Sequence, residues 1–233
     1  MTTDIEPKVH DWRIAPREYA RHEARRGRRH AFDHLDPERT ALVVIDMVAF
    51  FVAENALCLG IVPNINRIAT TLRDAGGTIA WVLPRVDASP TAWASEFYGP
   101  DIAALYAASG GEGSMHDRLW GGLASRDDDL WVEKSASSAF FPGRSPLPEL
   151  LAAKGIDTVL ITGTVTNVCC ESSARDASTL GYRVIMVADG NAGVRDEIHN
   201  ATLNTIYRSF GDVRPTSEVI DLVAAADSRS RGD

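Results

Sequence analysis

Residues 157–190 read DTVLITGTVTNVCCESSARDASTLGYRVIMVADG, and the way this stretch divides decides the fold. DTVLITG (157–163) is a short apolar run rich in β-branched residues, the pattern of a strand buried on both faces. YRVIMVAD (182–189) repeats that pattern. Between them, residues 167–180 read as a helix halted by Gly181. Strand, helix and strand over about 30 residues make a βαβ unit, and therefore a parallel pair.

The same alternation extends in both directions. ALVVID (41–46), TIAWVL (78–83, closed by Pro84) and LWVEK (130–134) read as three earlier strands, and a short strand is expected around Val213. Ile65, Ile68 and Leu72 recur at helical spacing before Gly76 and Gly77. Further helices are expected over 147–154, 196–209 and 217–225. The reading is an α/β domain with about six mainly parallel strands and helices on both faces. Residues 39–233 are expected to form this single domain, preceded by a partly helical amino-terminal extension, residues 1–38, that wraps the domain or a neighbouring subunit. Residues 85–129, with SGGEGS at 109–114, read as loop-rich, a candidate cap over a pocket.

Composition bounds the function. The 233 residues are 45% hydrophobic and 24% charged, enough for a substantial core. No run approaches the ~20 apolar residues of a membrane span. The start, MTTDIEPKVHDW, lacks the charged-then-apolar order of a secretory signal, so a cytoplasmic location is expected. A net charge of -8 argues against general nucleic-acid binding. Arg17, Arg21, Arg25, Arg26, Arg28 and Arg29 run against that balance and, with Glu18 and Glu23 among them, read as a solvated helix face. An anion-binding arm and a subunit contact are the other readings. Cys58, Cys169 and Cys170 are too few for a disulfide framework. The six histidines show no metal-ligand spacing, so neither metal nor cofactor is expected.

Ligands of an open parallel sheet bind beyond the carboxyl ends of its strands. The first strand delivers Asp46 there and the third delivers Lys134. The fourth delivers the turn Gly163-Thr164-Val165-Thr166-Asn167-Val168, then Cys169 at a helix start. A thiol attacks as thiolate, and a helix amino terminus and a lysine both favour the ionised sulfur, so a depressed thiol pKa is expected. Asp46 can take the thiol proton and return it to a departing amine. Backbone N–H groups of the turn, around Thr164, Val165 and Cys169, are candidates for holding an oxyanion. Each residue also has a plain structural reading: Asp46 as a loop anchor, Lys134 as a solvated cation, Cys169 as a small buried hydrophobe. Their convergence on one sheet edge favours chemistry. Cys170 points about 100° away on a helix and is expected against the sheet. Arg85 is a candidate for a substrate carboxylate, and Trp81, Trp93, Phe140 and Phe141 for pocket walls.

ALVVIDM, VEKSASSAFF and GTVTNVCCESSARDASTLGYRVIMVADG together resemble the signature segments of the isochorismatase-like cysteine hydrolases. The likeness runs from about Thr40 to the carboxyl terminus, strongest over 162–190, and is closest in pattern to the ureidoacrylate and N-carbamoyl amidohydrolase branch. It implies a Rossmann-like three-layer αβα sandwich and a triad of Asp46, Lys134 and Cys169. It also implies a cis peptide at Thr164–Val165, Phe51 and Phe141 near the pocket, and a homo-oligomer, dimer or tetramer. The expected activity is hydrolysis of a small molecule at a non-peptide C–N bond, amide, ureido or carbamoyl, through a thioester. Three departures stand out. Val48-Ala49-Phe50 replaces a more polar stretch, nicotinamidase-type metal ligands are missing over 84–89, and isochorismatases proper lack this cysteine. Enol-ether hydrolysis and a non-catalytic binding protein are the alternatives. A dinucleotide-binding protein fails because no G-x-G-x-x-G follows the first strand.

Overall fold

The apolar runs lie side by side in one sheet. The computed structural model describes residues 5–87 and 89–230, with side chains described as far as 226. Its strands are β1 (Thr40–Ile45), β2 (Thr78–Pro84), β3 (Leu130–Lys134), β4 (Thr158–Thr164), β5 (Arg183–Ala192) and β6 (Asp212–Arg214). Their order across the sheet is β3-β2-β1-β4-β5-β6, and every pairing is parallel. β1 and β4 lie at the centre and are buried at every residue, which is why their sequences are continuous apolar runs. The register pairs Ile45 with Val82 and with Gly163, and Pro84 with Lys134. The carboxyl ends of β1, β3 and β4 therefore share one edge.

Side-chain alternation along the strands feeds two separate cores. Val43, Ile45, Val159 and Ile161 face one side, with α7 (Leu147–Ala153), α8 (Glu171–Thr179) and α9 (Asp196–Ser209) over them. Leu42, Val44, Leu160 and Ile185 face the other, under α3 (Ala56–Asp74) and α10 (Thr216–Ser230). This is the three-layer α/β sandwich. Among the described residues, no helix is long and apolar enough to cross a membrane.

β5 is longer than its apolar run suggests. The ladder to β4 slips between the pairs Ile161–Met186 and Gly163–Asn191. Buried Asn191 bridges the slip, its Nδ2 donating to the carbonyls of Ile161 (2.8 Å) and Val187 (2.7 Å). β5 thereby continues past Asp189 to pair Ala192 with Thr164 beside the turn.

Residues 85–129 are more helical than their sequence suggests. They hold α4 (Ala92–Tyr98), α5 (Pro100–Ala107) and α6 (Met115–Arg118). α4 buries no residue and α5 buries only Ala103, and their large apolar side chains, Trp93, Phe97, Ile102, Leu105 and Tyr106, are exposed. Their start signals are nonetheless present: the Thr91 cap, Pro100 in the first turn, and a Ser114–Asp117 capping box.

The amino-terminal residues pack on the same chain. The basic stretch forms α1 (Pro16–Arg26), closed by left-handed Gly27. Asn200 and Asn204 of α9 accept from the backbone N–H groups of Arg13 and Ala15. Fully buried Asp212 accepts from the N–H groups of Ala31 and Phe32. Residue 8 crosses α3 where Gly60 makes room, since a Cβ there would lie 1.8 Å from the Lys8 carbonyl oxygen. Phe51, on α2 (Ala49–Val52), packs against the core beneath α3 and α10.

Candidate active site

The β1 strand ends by turning its last side chain into the sheet edge. Asp46 has φ 55, the left-handed region that aspartate tolerates better than bulkier residues. Its N–H stays in the ladder, donating to Val82 O at 2.8 Å, and its own carbonyl accepts from Val48 N–H at 2.9 Å. Gly163 lets β4 lie against this bend. At φ 112, a Cβ there would sit 2.1 Å from Ile45 O, so only glycine brings the following turn beside Asp46.

Lys134 ends β3 and is 4% exposed. An ammonium has three donors, and each has an acceptor here. Its Nζ is 2.8 Å from Asp46 Oδ2, 3.1 Å from the Ala136 carbonyl oxygen and 3.6 Å from Cys169 Sγ. Residues delivered by three different strands are thus joined at one point. The loop after Lys134 is held in turn by Ser173 of α8, whose Oγ accepts from Ala139 N–H at 2.9 Å.

Cys169 does not open a regular helix, as its sequence suggests, but lies in a single wide turn, Thr166–Cys170, ahead of α8. The Cys170 N–H reaches back five residues to Val165 O at 3.4 Å, and Val168 N–H shares that acceptor at 3.0 Å. Such wide turns recur at functional sites. The peptide between Thr164 and Val165 is cis. Thr164 itself is occupied: it pairs with Ala192 in the sheet, its hydroxyl donates to Ala192 O, and the Cys58 thiol donates to that hydroxyl. Cys170 is fully buried in the core against the sheet, whereas Cys169 is partly exposed.

Electrostatics corrects one expectation. Burial first, then the charge of Asp46, pushes the Cys169 thiol up to about 12, with Lys134 opposing. Burial and the neighbouring carboxylate therefore favour the protonated sulfur over the thiolate. Burial also raises the Asp46 carboxyl, against the pull of Lys134 and Cys169. For Lys134, burial pulls the ammonium down, but the attraction of Asp46 and then Cys169 outweighs it and the net shift is upward. Asp46 Oδ1 is buried without a hydrogen bond of good geometry, a costly state for a carboxylate oxygen.

The expected pocket residues divide. Trp81 and Phe140 are fully buried core, with Trp81 Nε1 donating to Asp129 and Phe140 edge-on to Tyr182, so neither lines an open wall. Trp93 is 62% exposed on α4, stacked on Phe97 with ring centroids 5.2 Å apart. Phe141 is exposed beside a cavity of about 430 Å³ that also touches Ser138, Ser172, Arg175 and Ala136, the residue whose carbonyl holds Lys134. Arg85 borders a second cavity of about 600 Å³, but its guanidinium is already paired with Asp87 at 2.8 Å. Several buried polar groups carry no mark in the sequence: Asn191, Ser173, Thr166, His199 and His10.

Residues 40–218 match the model of the isochorismatase domain. The chain belongs to the isochorismatase family of hydrolases. Within that family it is 31% identical to the uncharacterized isochorismatase family protein YwoC of Bacillus subtilis, over 82% of this chain and 97% of that one. It is 28% identical to the ureidoacrylate amidohydrolase RutB of Agrobacterium fabrum, over 82% and 93% of the two chains. Among solved structures, a cysteine hydrolase from Pseudomonas syringae pv. phaseolicola superposes with a TM-score of 0.72 at 29% identity, covering 84% of this chain and 98% of that one. The match begins at the first residue of β1, so the isochorismatase-family sheet and all three converging residues lie inside it, and α1 with its flanking segments lies outside.

Proposed function

We propose that this isochorismatase-family protein is a cysteine hydrolase that cleaves a non-peptide C–N bond of a small amide, ureido or carbamoyl compound. The observation that carries the reading is the buried junction in which Lys134 Nζ lies 2.8 Å from Asp46 Oδ2 and 3.6 Å from Cys169 Sγ. Asp46 takes the Cys169 proton as the sulfur attacks the carbonyl carbon. The thiol is high and the carboxyl is raised, so the transfer accompanies attack rather than preceding it. The backbone N–H groups of Val165 and Cys169 stabilise the oxyanion, and Thr164 holds their turn to the sheet. The tetrahedral adduct expels nitrogen, which receives the proton from Asp46, leaving a thioester on Cys169. Water attacks the thioester as Asp46 accepts its proton, the acid is released, and the sulfur regains a proton from Asp46. Lys134 keeps Asp46 oriented and balances the charge that moves between carboxylate and sulfur. The likeness to a ureidoacrylate amidohydrolase supports substrates of the ureido class.

The test is a screen of small amides and ureido acids for ammonia release, followed by quenching with acid and mass spectrometry of the intact chain. Turnover by the wild type, its loss in Cys169→Ala, and an acyl mass on residue 169 are expected. Full activity in Cys169→Ala sinks the proposal.

A further inference from the structure

We propose that His10, in the amino-terminal segment outside the matched hydrolase domain, is a positioning residue for the turn that carries Cys169. The inference rests on the cysteine-hydrolase reading and adds to it a part that residues 40–218 do not contain.

His10 is 4% exposed and bonded at both ring nitrogens. Its Nδ1 is 2.6 Å from Asp196 Oδ1, and its Nε2 accepts from Gly193 N–H at 2.9 Å. A peptide N–H can only donate, so Nε2 carries no proton, and Nδ1 supplies the one shared with Asp196. The bond from His10 is also the main cause that holds the Asp196 carboxyl below its ordinary range. The ring lies flat on His199, with centroids 4.1 Å apart and planes 12° from parallel.

His199 is fully buried and, chiefly by burial, pushed down to about 3, so it is a neutral imidazole. Its Nδ1 is 2.9 Å from Thr166 Oγ1, while Nε2 makes no hydrogen bond of good geometry. Thr166 is the first residue of the wide turn and is itself fully buried. The loop that donates to His10 runs beside the same residue, since a Cβ on Gly193 would come 3.4 Å from Thr166 Oγ1, an ordinary contact. A continuous path of contacts therefore runs from Asp196 through His10 and His199 to Thr166, three residues before Cys169.

Anchoring alone does not account for His10. The segment around it is tied to α9 by Asn200 and Asn204, which bond the backbone of residues 11, 13 and 15. It is tied again at Ala31 and Phe32 by Asp212. Two stacked buried imidazoles, one with an incompletely bonded nitrogen, are an expensive way to duplicate those bonds. Their distinct consequence is a fixed Thr166 hydroxyl beneath the turn. A change of about 1 Å in the position of a reacting group is enough to cost up to a hundredfold in rate.

The experiment reads the sulfur directly and needs no substrate. The full chain is treated with iodoacetamide at a fixed mildly alkaline pH, and the rate of alkylation at residue 169 is followed by tandem mass spectrometry alongside the melting temperature. Thr166→Val and His10→Ala are each expected to slow alkylation by roughly tenfold or more, with Thr166→Ser near the wild-type rate. The double variant is expected to be no slower than the slower single one, because both act along one path. His10→Gln, which keeps an acceptor for Gly193, serves if His10→Ala does not fold, and is expected to lie between wild type and Thr166→Val. A wild-type rate in the folded His10 variants, with only the melting temperature lowered, overturns the positioning role and leaves the hydrolase reading intact. Multiplying effects in the double variant overturn it equally. A wild-type Cys169 that does not react at all overturns this inference, whose readout is the reactivity of that sulfur, and leaves the hydrolase reading to the ammonia-release screen.

Discussion

Replacing Lys134 with Met tests the junction most sharply, because it strands a buried carboxylate. The Asp46 side chain is 2% exposed and Lys134 is its ion-pair partner at 2.8 Å. Removing one member of such a pair costs about 3–5 kcal/mol if the other stays charged. Asp46 has a second option, which is to take a proton. From its ordinary 3.8 to about pH 7 is just over three units, at about 1.4 kcal/mol each, so protonation caps the cost near 4 kcal/mol. At about pH 5 the gap is just over one unit and the cap falls to about 1.5 kcal/mol. The sign follows from the direction of the shift. A carboxyl raised on folding contributes stability that is whole below 3.8 and is lost as pH rises through its folded value. Burial already raises Asp46 in the native protein, and Lys134 opposes it, so K134M widens that window upward. Urea unfolding of K134M and wild type at the two pH values should show the difference between them shrinking by about 1.5–2.5 kcal/mol on acidification. Asp46→Asn in the K134M background leaves no charge behind and should recover part of the loss at about pH 7. An equal penalty at both pH values, with no recovery in the double variant, would refute the claim that Asp46 is the stranded charge.

Three further outcomes follow from particular contacts. Cys169→Ala should remove turnover with little change in stability, whereas Cys170→Ala, which empties a fully buried site on the sheet, should cost about 1 kcal/mol yet keep appreciable activity; ammonia release and thermal melts check both. Gly163→Ala should lose at least about 3 kcal/mol or fail to fold, since its new Cβ meets Ile45 O at 2.1 Å and φ is 112; a native melting temperature would contradict this. Asp212→Asn should cost about 1.5–3 kcal/mol near neutral pH and speed proteolysis within residues 16–36, because a charged acceptor for two backbone N–H groups is lost. Burial lifts Asp212, but His30 and those N–H groups outweigh it and the net shift is downward. Its contribution is therefore present above 3.8 and lost as pH falls through the lower folded value, so variant and wild type should converge in acid.

The sheet was legible because parallel strands buried on both faces have to be continuous apolar runs, and ALVVID and DTVLITG are such runs. The convergence of Asp46, Lys134 and Cys169 was expected because parallel strands bring their carboxyl ends to one edge, and each of the three lies at or just beyond such an end. What escaped notice depends on tertiary contact. α4 and α5 are short and bury almost nothing, so their few apolar residues do not tie them to the core. Phe140 and Trp81 looked like pocket walls because an aromatic near a strand end has the same sequence signature whether it meets solvent or core. His10 stands in a segment whose arginines draw attention to charge, and its partners are 183 residues or more away along the chain.

The thiol is where local and tertiary reasoning diverge most. A cysteine at a helix start, near a lysine, reads as a depressed thiol, because helix dipole and ammonium both favour sulfur anion. Two facts reverse the direction. The wide turn sets Cys169 ahead of α8 rather than at its first turn, and the site is buried with a carboxylate beside the sulfur. In that setting Lys134 is shared: it pairs with Asp46 at 2.8 Å and donates to the sulfur at 3.6 Å. One ammonium then supports one negative charge, resting on the carboxylate until substrate arrives. In the proposed reaction the charge would move to the sulfur and on to the oxyanion as the proton passes to Asp46, with Lys134 within reach of the first two positions. A neutral resting thiol also resists oxidation and alkylation better than a standing thiolate. On this account Asp46→Asn should slow iodoacetamide alkylation of Cys169 by at least about a hundredfold, the usual worth of a positioned base. Sulfur activated by the lysine alone would instead react faster once the competing carboxylate is gone, so the direction of the change decides between the two.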